Sequence, residues 1–393
     1  MNLLHRAVNK PRTLAPRKWL FQIHLWVGMF VGLYAIAIGV SGAILVFREE
    51  IVESSLHQYR EVPAPRGALQ ASTEEIIEAV RRTSGHKGTL TLEFPREPGR
   101  AIEATFFTGN FMHYVFVDPY TARALAEVIP GGAALRWLDT LHSNFFLKRT
   151  GRILNGIGGL LLVLLALTGI CIWWPGRKLW RRRLTIDFRA RLKRLNWDVH
   201  HSLGFWGLAA IVIVSFSGAY FTWPRIYSDA VARYFPLSKP APPPRIERRP
   251  GAPRAPIAAL LAAANQAVPE GGPVWRINIP GSPDSPVRVL KRGDGDPAYR
   301  TATTITLDPY TSRVLRVDRY ADHTTGDKIV AWIGPLHIGN FGGFPVKLLY
   351  ALTGLLFPTL FITGFIMWWD RVARRRLRAL HRADSKEAAA VEV

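Results

Sequence analysis

Cysteine is almost absent: the 393 residues include one, Cys171, so no intrachain disulfide can form and every folded segment must stand on its own core. There is no Cys-x-x-Cys-His, the motif that attaches haem covalently. Neither Gly-x-Gly-x-x-Gly nor Gly-x-x-x-x-Gly-Lys-[Ser/Thr] occurs, so no dinucleotide or ATP site is visible. Charge is missing from Lys18 to Arg48, where the intervening residues include no Asp, Glu, Lys or Arg. Acid is scarce elsewhere: residues 1–18 carry five Lys/Arg and no acid, and the loop 176–196 carries nine against one.

What is present is four apolar runs, 19–47, 153–174, 203–223 and 346–369, each of the length that crosses a bilayer core. The third is extended back to 197 as a helix. The first is too long for a signal-peptide core and meets no small-residue cleavage site, so it reads as a retained anchor. The net charge of +22 gathers in residues 1–18, in the loop 175–196 and in the tail 370–393, whereas 48–136 holds ten basic and twelve acidic residues. Basic loops stay inside. The charge is therefore a topology signal: both termini and the 175–196 loop are cytoplasmic, the segments 48–136 and 224–323 lie outside, and nucleic acid is not a partner.

The chain repeats itself. A shift of 176 places His24 on His200, Gly28 on Gly204 and Ser41–Gly42–Ala43 on Ser217–Gly218–Ala219. A shift of 195 places Trp137 on Trp332, His142 on His337, Arg152 on Lys347, Gly159 on Gly354, Thr168–Gly169 on Thr363–Gly364 and Trp173–Trp174 on Trp368–Trp369. In the outside segments YVFVDPYTARAL (114–125) answers ITLDPYTSRVL (305–315), and Asp-Pro-Tyr-Thr between two alternating apolar runs predicts a hairpin turn. Helical patterns precede them at Ser72–Arg82, with Ser72 and Glu75 at capping-box spacing, and at Pro256–Val268. Strand-like runs follow at 88–94, 101–107, 274–279 and 286–291, with an extended Pro-rich linker at 236–256. The expected fold is a membrane four-helix bundle built by tandem repeat, with two α+β domains outside.

Four of the eleven histidines occupy repeat-matched places: His24 and His200 at the inner mouths of helices 1 and 3, His142 and His337 in the outer approaches 137–152 and 324–345. Ionisable groups at such places are costly unless they have a task. A pair of imidazoles at each face suits the two axial positions of a haem iron held between helices. Two non-covalent b-type haems are expected, ligated by His24/His200 and His142/His337, with His201 as an alternative to His200. Gly28 and Gly204 leave room for a porphyrin edge, and Arg152 and Lys347 are candidate propionate partners as well as candidate interfacial anchors. His5, His57, His86, His113, His323 and His381 have no matched partner and read as surface residues.

HLWVG, VHHSLG, LTGICIWWPGR, ITGFIMWWDR and the paired VDPYT and LDPYT turns resemble the PepSY-associated transmembrane proteins of bacteria, over about residues 17 to 376. The resemblance implies four helices, two periplasmic PepSY domains, a place in the inner membrane and, for the siderophore reductases of that family, two b haems on the histidines named above. The expected function is electron transfer from a quinol or cytoplasmic reductase to a ferric siderophore in the periplasm, which releases iron. Phe107, Phe111, Tyr114, Trp275 and Tyr299 are candidate contacts for that ligand, although aromatics in strands are more often core. The alternatives are a haem-b conduit to another periplasmic acceptor, a transporter, and a PepSY regulatory protein with structural histidines.

Overall fold

The structure, a computed structural model, describes residues 14–373 except 66, 68, 110, 239–241, 243, 245, 248, 250 and 293–301. His5, Arg6, Lys10, Arg12, Tyr299, Arg374, Arg375, Arg376, Arg378, His381, part of the 236–256 linker and the side chain of Phe111 lie outside the described residues. In chain order the elements are α1 (Ala15–Leu45), α2 (Arg48–Arg60), α3 (Thr73–Ser84), β1 (Leu90–Glu93), β2 (Ile102–Thr108), β3 (Phe111–Val117), β4 (Ala124–Val128), α4 (Gly132–Asn144) and α5 (Lys148–Trp173). They continue with α6 (Leu192–Trp206), α7 (Leu208–Tyr220), α8 (Pro224–Ala232), α9 (Ile257–Ala267), β5 (Val274–Ile279), β6 (Val287–Lys291), β7 (Thr303–Leu307), β8 (Val314–Asp318), α10 (Thr325–Ile338) and α11 (Gly343–Trp368). Two compact units result, one from 14–47, 135–230 and 332–373, the other from 48–134 and 231–331.

In the first unit α1, α5 and α11 are long and apolar enough to cross a membrane. Proline in the first turn of α1 costs nothing, because that amide would be unpaired anyway. The third apolar run is not one straight helix over 197–223: α6 and α7 pass the same test together but are bent by 62°. The break falls at Gly207, where a side chain would meet Leu356 Cδ1 at 2.4 Å, and glycine is a usual site for a sharp kink. Glycine also sets how closely the helices approach. A Cβ on Gly39 would lie 2.4 Å from the Gly354 carbonyl oxygen, and one on Gly354 would lie 2.6 Å from that of Gly39, so the α1 and α11 backbones touch. Gly159 of α5 meets the Ser215 carbonyl of α7 in the same manner, at 3.0 Å. Val31, Ala35, Leu162, Ile211 and Phe357 fill the space among these helices.

In the second unit the strands form one antiparallel sheet of eight, in the order β4-β3-β2-β1-β5-β6-β7-β8. The segments 48–136 and 224–323, expected as two α+β domains, contribute four strands each and meet at β1 and β5, with Leu90 opposite Ile279 and Leu92 opposite Ile277. Alternation puts Leu90, Leu92, Ala104, Val115, Ile277, Val289 and Ile305 on one face, where α3 and α9 cover them. Both Asp-Pro-Tyr-Thr segments are the hairpin turns expected. The Asp118 and Asp308 carboxylates each accept from the amide two residues on, at 2.8 Å in both turns. The Ser72/Glu75 capping box of α3 is present. Glu74, in the first turn of α3, also reaches across to accept from the amide of Ile257 at the start of α9.

A second capping box starts α10. Thr324 Oγ1 and the Thr324 amide donate to Asp327 Oδ2 at 2.7 and 3.0 Å, and Ser238 adds its amide and hydroxyl. Burial works against ionisation of Asp327, but these hydrogen bonds outweigh it and hold the carboxyl down at about 2. A depressed folded-state pKa contributes stability above the unfolded value, and that stability disappears as pH falls through the folded one. Protection of the first-turn amides of α10, taken relative to their intrinsic exchange rates, is therefore expected to fall between about pH 4 and pH 2, and Asp327→Asn should remove that pH dependence.

Candidate functional site: two facing histidine pairs

All four repeat-matched histidines lie in the first unit, and they face one another in pairs. The His24 ring on α1 and the His200 ring on α6 have centroids 6.5 Å apart with planes at 88°. The His142 ring on α4 and the His337 ring on α10 are 6.2 Å apart with planes at 38°. The short helices that carry the second pair are tied to the long ones. Asn155 of α5 donates to the His142 carbonyl at 2.7 Å, and Tyr350 of α11 donates to the Leu336 carbonyl at 2.6 Å.

Each imidazole is oriented through Nδ1 by the same kind of partner. His24 Nδ1 lies 3.1 Å from the Leu165 carbonyl and 3.1 Å from Thr168 Oγ1, and His200 Nδ1 lies 2.9 Å from Thr363 Oγ1. His142 Nδ1 lies 3.0 Å from Ser41 Oγ, and His337 Nδ1 lies 3.0 Å from the Val214 carbonyl and 3.5 Å from Ser217 Oγ. The hydroxyl protons are already spent: Ser41, Thr168, Ser217 and Thr363 donate to the carbonyls of Ala37, Leu164, Ile213 and Thr359 one turn back. Carbonyls and committed hydroxyls can only accept from the rings, so the neutral rings carry the proton on Nδ1 and keep the Nε2 lone pair. That is how an imidazole is prepared for a metal, with the far nitrogen donating to a fixed acceptor.

The residue after each hydroxyl is glycine, and the ring edge occupies the space a side chain would take. A Cβ at Gly169 or Gly364 would stand 3.2 Å from Cε1 of His24 or His200. At Gly42 and Gly218 it would stand 3.0 and 2.8 Å from Cε1 of His142 and His337. Thr168–Gly169, Thr363–Gly364, Ser41–Gly42 and Ser217–Gly218 therefore build the seats of the rings. Their repeat spacing marked them in the sequence, but no role was read from it.

A cavity of about 700 Å³ opens beside the His24/His200 pair, within the range of cofactor sites. Val31, Ala35, Leu162, Ile211 and Phe357 line its apolar part, Gly28 and Gly204 flank the pair, and Arg17, Lys18, Arg183 and Arg371 stand at the other end. Among the described residues no three His, Cys, Asp or Glu cluster, so the histidines offer a metal two ligands at a time. Two imidazoles bonded to one iron at about 2 Å on opposite sides put their ring centres about 6 Å apart, which both pairs match. The donor set and the spacing at both pairs, and at His24/His200 the space as well, thus fit an iron whose remaining ligands come from a macrocycle.

His201 also lines the cavity but is engaged elsewhere: its ring stacks on Trp197 at 3.9 Å, and Nδ1 donates to the Trp197 carbonyl at 3.0 Å. Arg152 is exposed on α5 while Lys347 is buried on α11, so the two matched cations have different surroundings. In the second unit His113 pairs with Glu127, His323 with Asp318 and His57 with Glu61, and His86 stacks on Phe106. Phe107 is exposed, Tyr114 stacks on Phe116 and the Trp275 ring lies 4.1 Å from the Arg276 guanidinium.

The model of the PepSY-associated TM region matches residues 21–371, which include all four paired histidines. An uncharacterized protein of Pseudomonas aeruginosa is 33% identical over 141 residues, 33% of this chain and 34% of that protein. The chain thus spans about a third of the length of that relative.

Proposed function

The chain belongs to the PepSY-associated transmembrane family, and from that membership and the facing histidines we propose an electron-transfer protein of the bacterial inner membrane that reduces ferric siderophores in the periplasm. In this reading α1, α5, the bent α6–α7 pair and α11 are the four spans of an internally duplicated bundle. The basic loop 175–196 and both termini are cytoplasmic, in line with the positive-inside rule, and the sheet unit is periplasmic.

When bound, two b-type haems would supply one-electron centres toward the two faces of the membrane. The chain's own part is to hold them and to choose their chemistry. His24 with His200, and His142 with His337, would each hold one haem iron through Nε2, an all-imidazole hold that would suit electron transfer rather than dioxygen binding. The acceptors on Nδ1 fix the tautomer and ring direction, and the wall of Val31, Leu162, Ile211 and Phe357 keeps water from the first pair. The electron comes from a quinol or a cytoplasmic reductase. One electron turns Fe³⁺ into Fe²⁺, a softer ion that hard oxygen ligands hold less tightly, so the metal is released.

The observation that carries this reading is the repetition at both pairs of one arrangement: facing imidazoles about 6 Å apart, Nδ1 engaged, and glycine beneath the ring. The test is to reduce the purified protein under anaerobic conditions and mix it with ferric desferrioxamine and an Fe²⁺ chelator. Reoxidation with one Fe²⁺ captured per electron is expected. A reduced protein that persists with the ferric chelate but is oxidised by a different acceptor would move the reading to that acceptor.

A further inference from the structure

Two buried indole donors in the first unit have nothing to donate to. The indole N–H groups of Trp173 and Trp368 are shielded from solvent and have no hydrogen-bond partner among the described residues. Trp173 as a whole is 6% exposed. A buried unpaired N–H is costly, so two of them at positions 195 apart point to a missing acceptor of matching symmetry. Both rings line the cavity beside His24 and His200.

Their level in the cavity is defined by the helices. Trp173 follows the Thr168–Gly169 seat of His24 by four to five residues, and Trp368 follows the Thr363–Gly364 seat of His200 by the same count, about 6–7 Å along each helix. The direction is toward the basic end: Arg17 donates to the carbonyls of Ile172 and Trp174, which flank Trp173. Arg371 lies three residues beyond Trp368, with its guanidinium 5.3 Å from the Phe21 ring. The opposite wall, around Val31, Ala35 and Phe357, is apolar.

Resting on the haem reading above, we propose that Trp173 and Trp368 each donate to one propionate of the haem held by His24 and His200. The propionate edge then points to the Arg17/Arg371 end of the cavity. The symmetry of the group supports this pairing. Protoporphyrin has an approximate two-fold axis in its plane, passing through the iron and between the propionates. Rotation about it exchanges the two faces and the two propionates together. The repeat exchanges His24 with His200 and Trp173 with Trp368 in the same way. Arg17, Lys18, Arg183 and Arg371 supply positive charge against the two carboxylates.

Trp173→Phe and Trp368→Phe remove the donors and keep the rings. Haem transfer to apomyoglobin from the His24/His200 site, isolated in a His337→Ala background, reads the effect. A hydrogen bond to a charged group predicts about tenfold faster haem loss for each variant and about a hundredfold for both. Haem dimethyl ester, which lacks the anions, should leave the otherwise unchanged site and the doubly substituted site at the same fast rate. Equal release of haem from all forms, or an undiminished difference between haem and its ester in the double variant, would overturn the assignment while leaving the haem reading intact. A protein that carries no haem at either pair would overturn both.

Discussion

Replacing His24 or His200 with alanine is expected to remove one of two haems, and replacing His142 or His337 is expected to remove the other. The reason is geometric. Each pair lies within reach of a single iron, with centroids 6.5 and 6.2 Å apart, and each ring belongs to only one pair. Loss of either imidazole would leave one protein ligand, too weak a hold to keep the haem through purification, so the pyridine haemochrome ratio should fall from two per chain to one, with far-UV circular dichroism unchanged. His201→Ala is the control inside the same cavity. Its ring is held by Trp197 rather than aimed at His24, so both haems should remain. Retention of two haems in His200→Ala with loss in His201→Ala would exchange the roles of these neighbours.

The second large effect concerns residues that would touch no haem iron. Thr363→Val keeps the shape of the side chain but removes the acceptor 2.9 Å from His200 Nδ1. Outer partners of metal-bound histidines typically account for about 10–100-fold in metal affinity, and an effect of that size is expected at the His24/His200 site alone. The second pair should respond unequally. Ser41 Oγ lies 3.0 Å from His142, whereas Ser217 Oγ lies 3.5 Å from His337, whose main acceptor is the Val214 carbonyl. Because the Ile38 carbonyl also accepts from His142, haem loss from that site should accelerate in both variants, and more in Ser41→Ala than in Ser217→Ala. Equal responses would mean that the hydroxyls act through helix packing rather than through the rings.

Much of this was legible before the fold was in view, because local chemistry carried it. The ends of α5 and α11 fall at Trp173 and Trp368, the repeated aromatic pairs, and the Asp-Pro-Tyr-Thr turns and the Ser72/Glu75 box stand where their hydrogen bonding requires. The pairing of His24 with His200 was legible because two copies of one pattern leave few other partners. What could not be read depends on contacts far apart in the chain. The joining of β1 to β5 pairs Leu90 with Ile279, and alternation within a strand says which face is buried but not which strand lies alongside. The break at Gly207 hides in an apolar run where glycine is common. Thr-Gly and Ser-Gly were visible as repeats, but their task appears only when the imidazoles come to rest against them. Likewise the orphan N–H groups of Trp173 and Trp368 exist only once the surrounding helices have closed and excluded other acceptors.

Electron paramagnetic resonance of the oxidised protein addresses both pairs at once. The angle between two axial imidazole planes sets how far the iron d orbitals split: crossed planes give a strongly anisotropic low-spin ferric signal, and planes nearer to parallel give a rhombic one. With planes at 88° for His24/His200 and 38° for His142/His337, one signal of each kind is expected, and His200→Ala should abolish only the first. A protein without haem signals, or one whose ferric haem is high-spin with an open axial position, would contradict the assignment of these histidines.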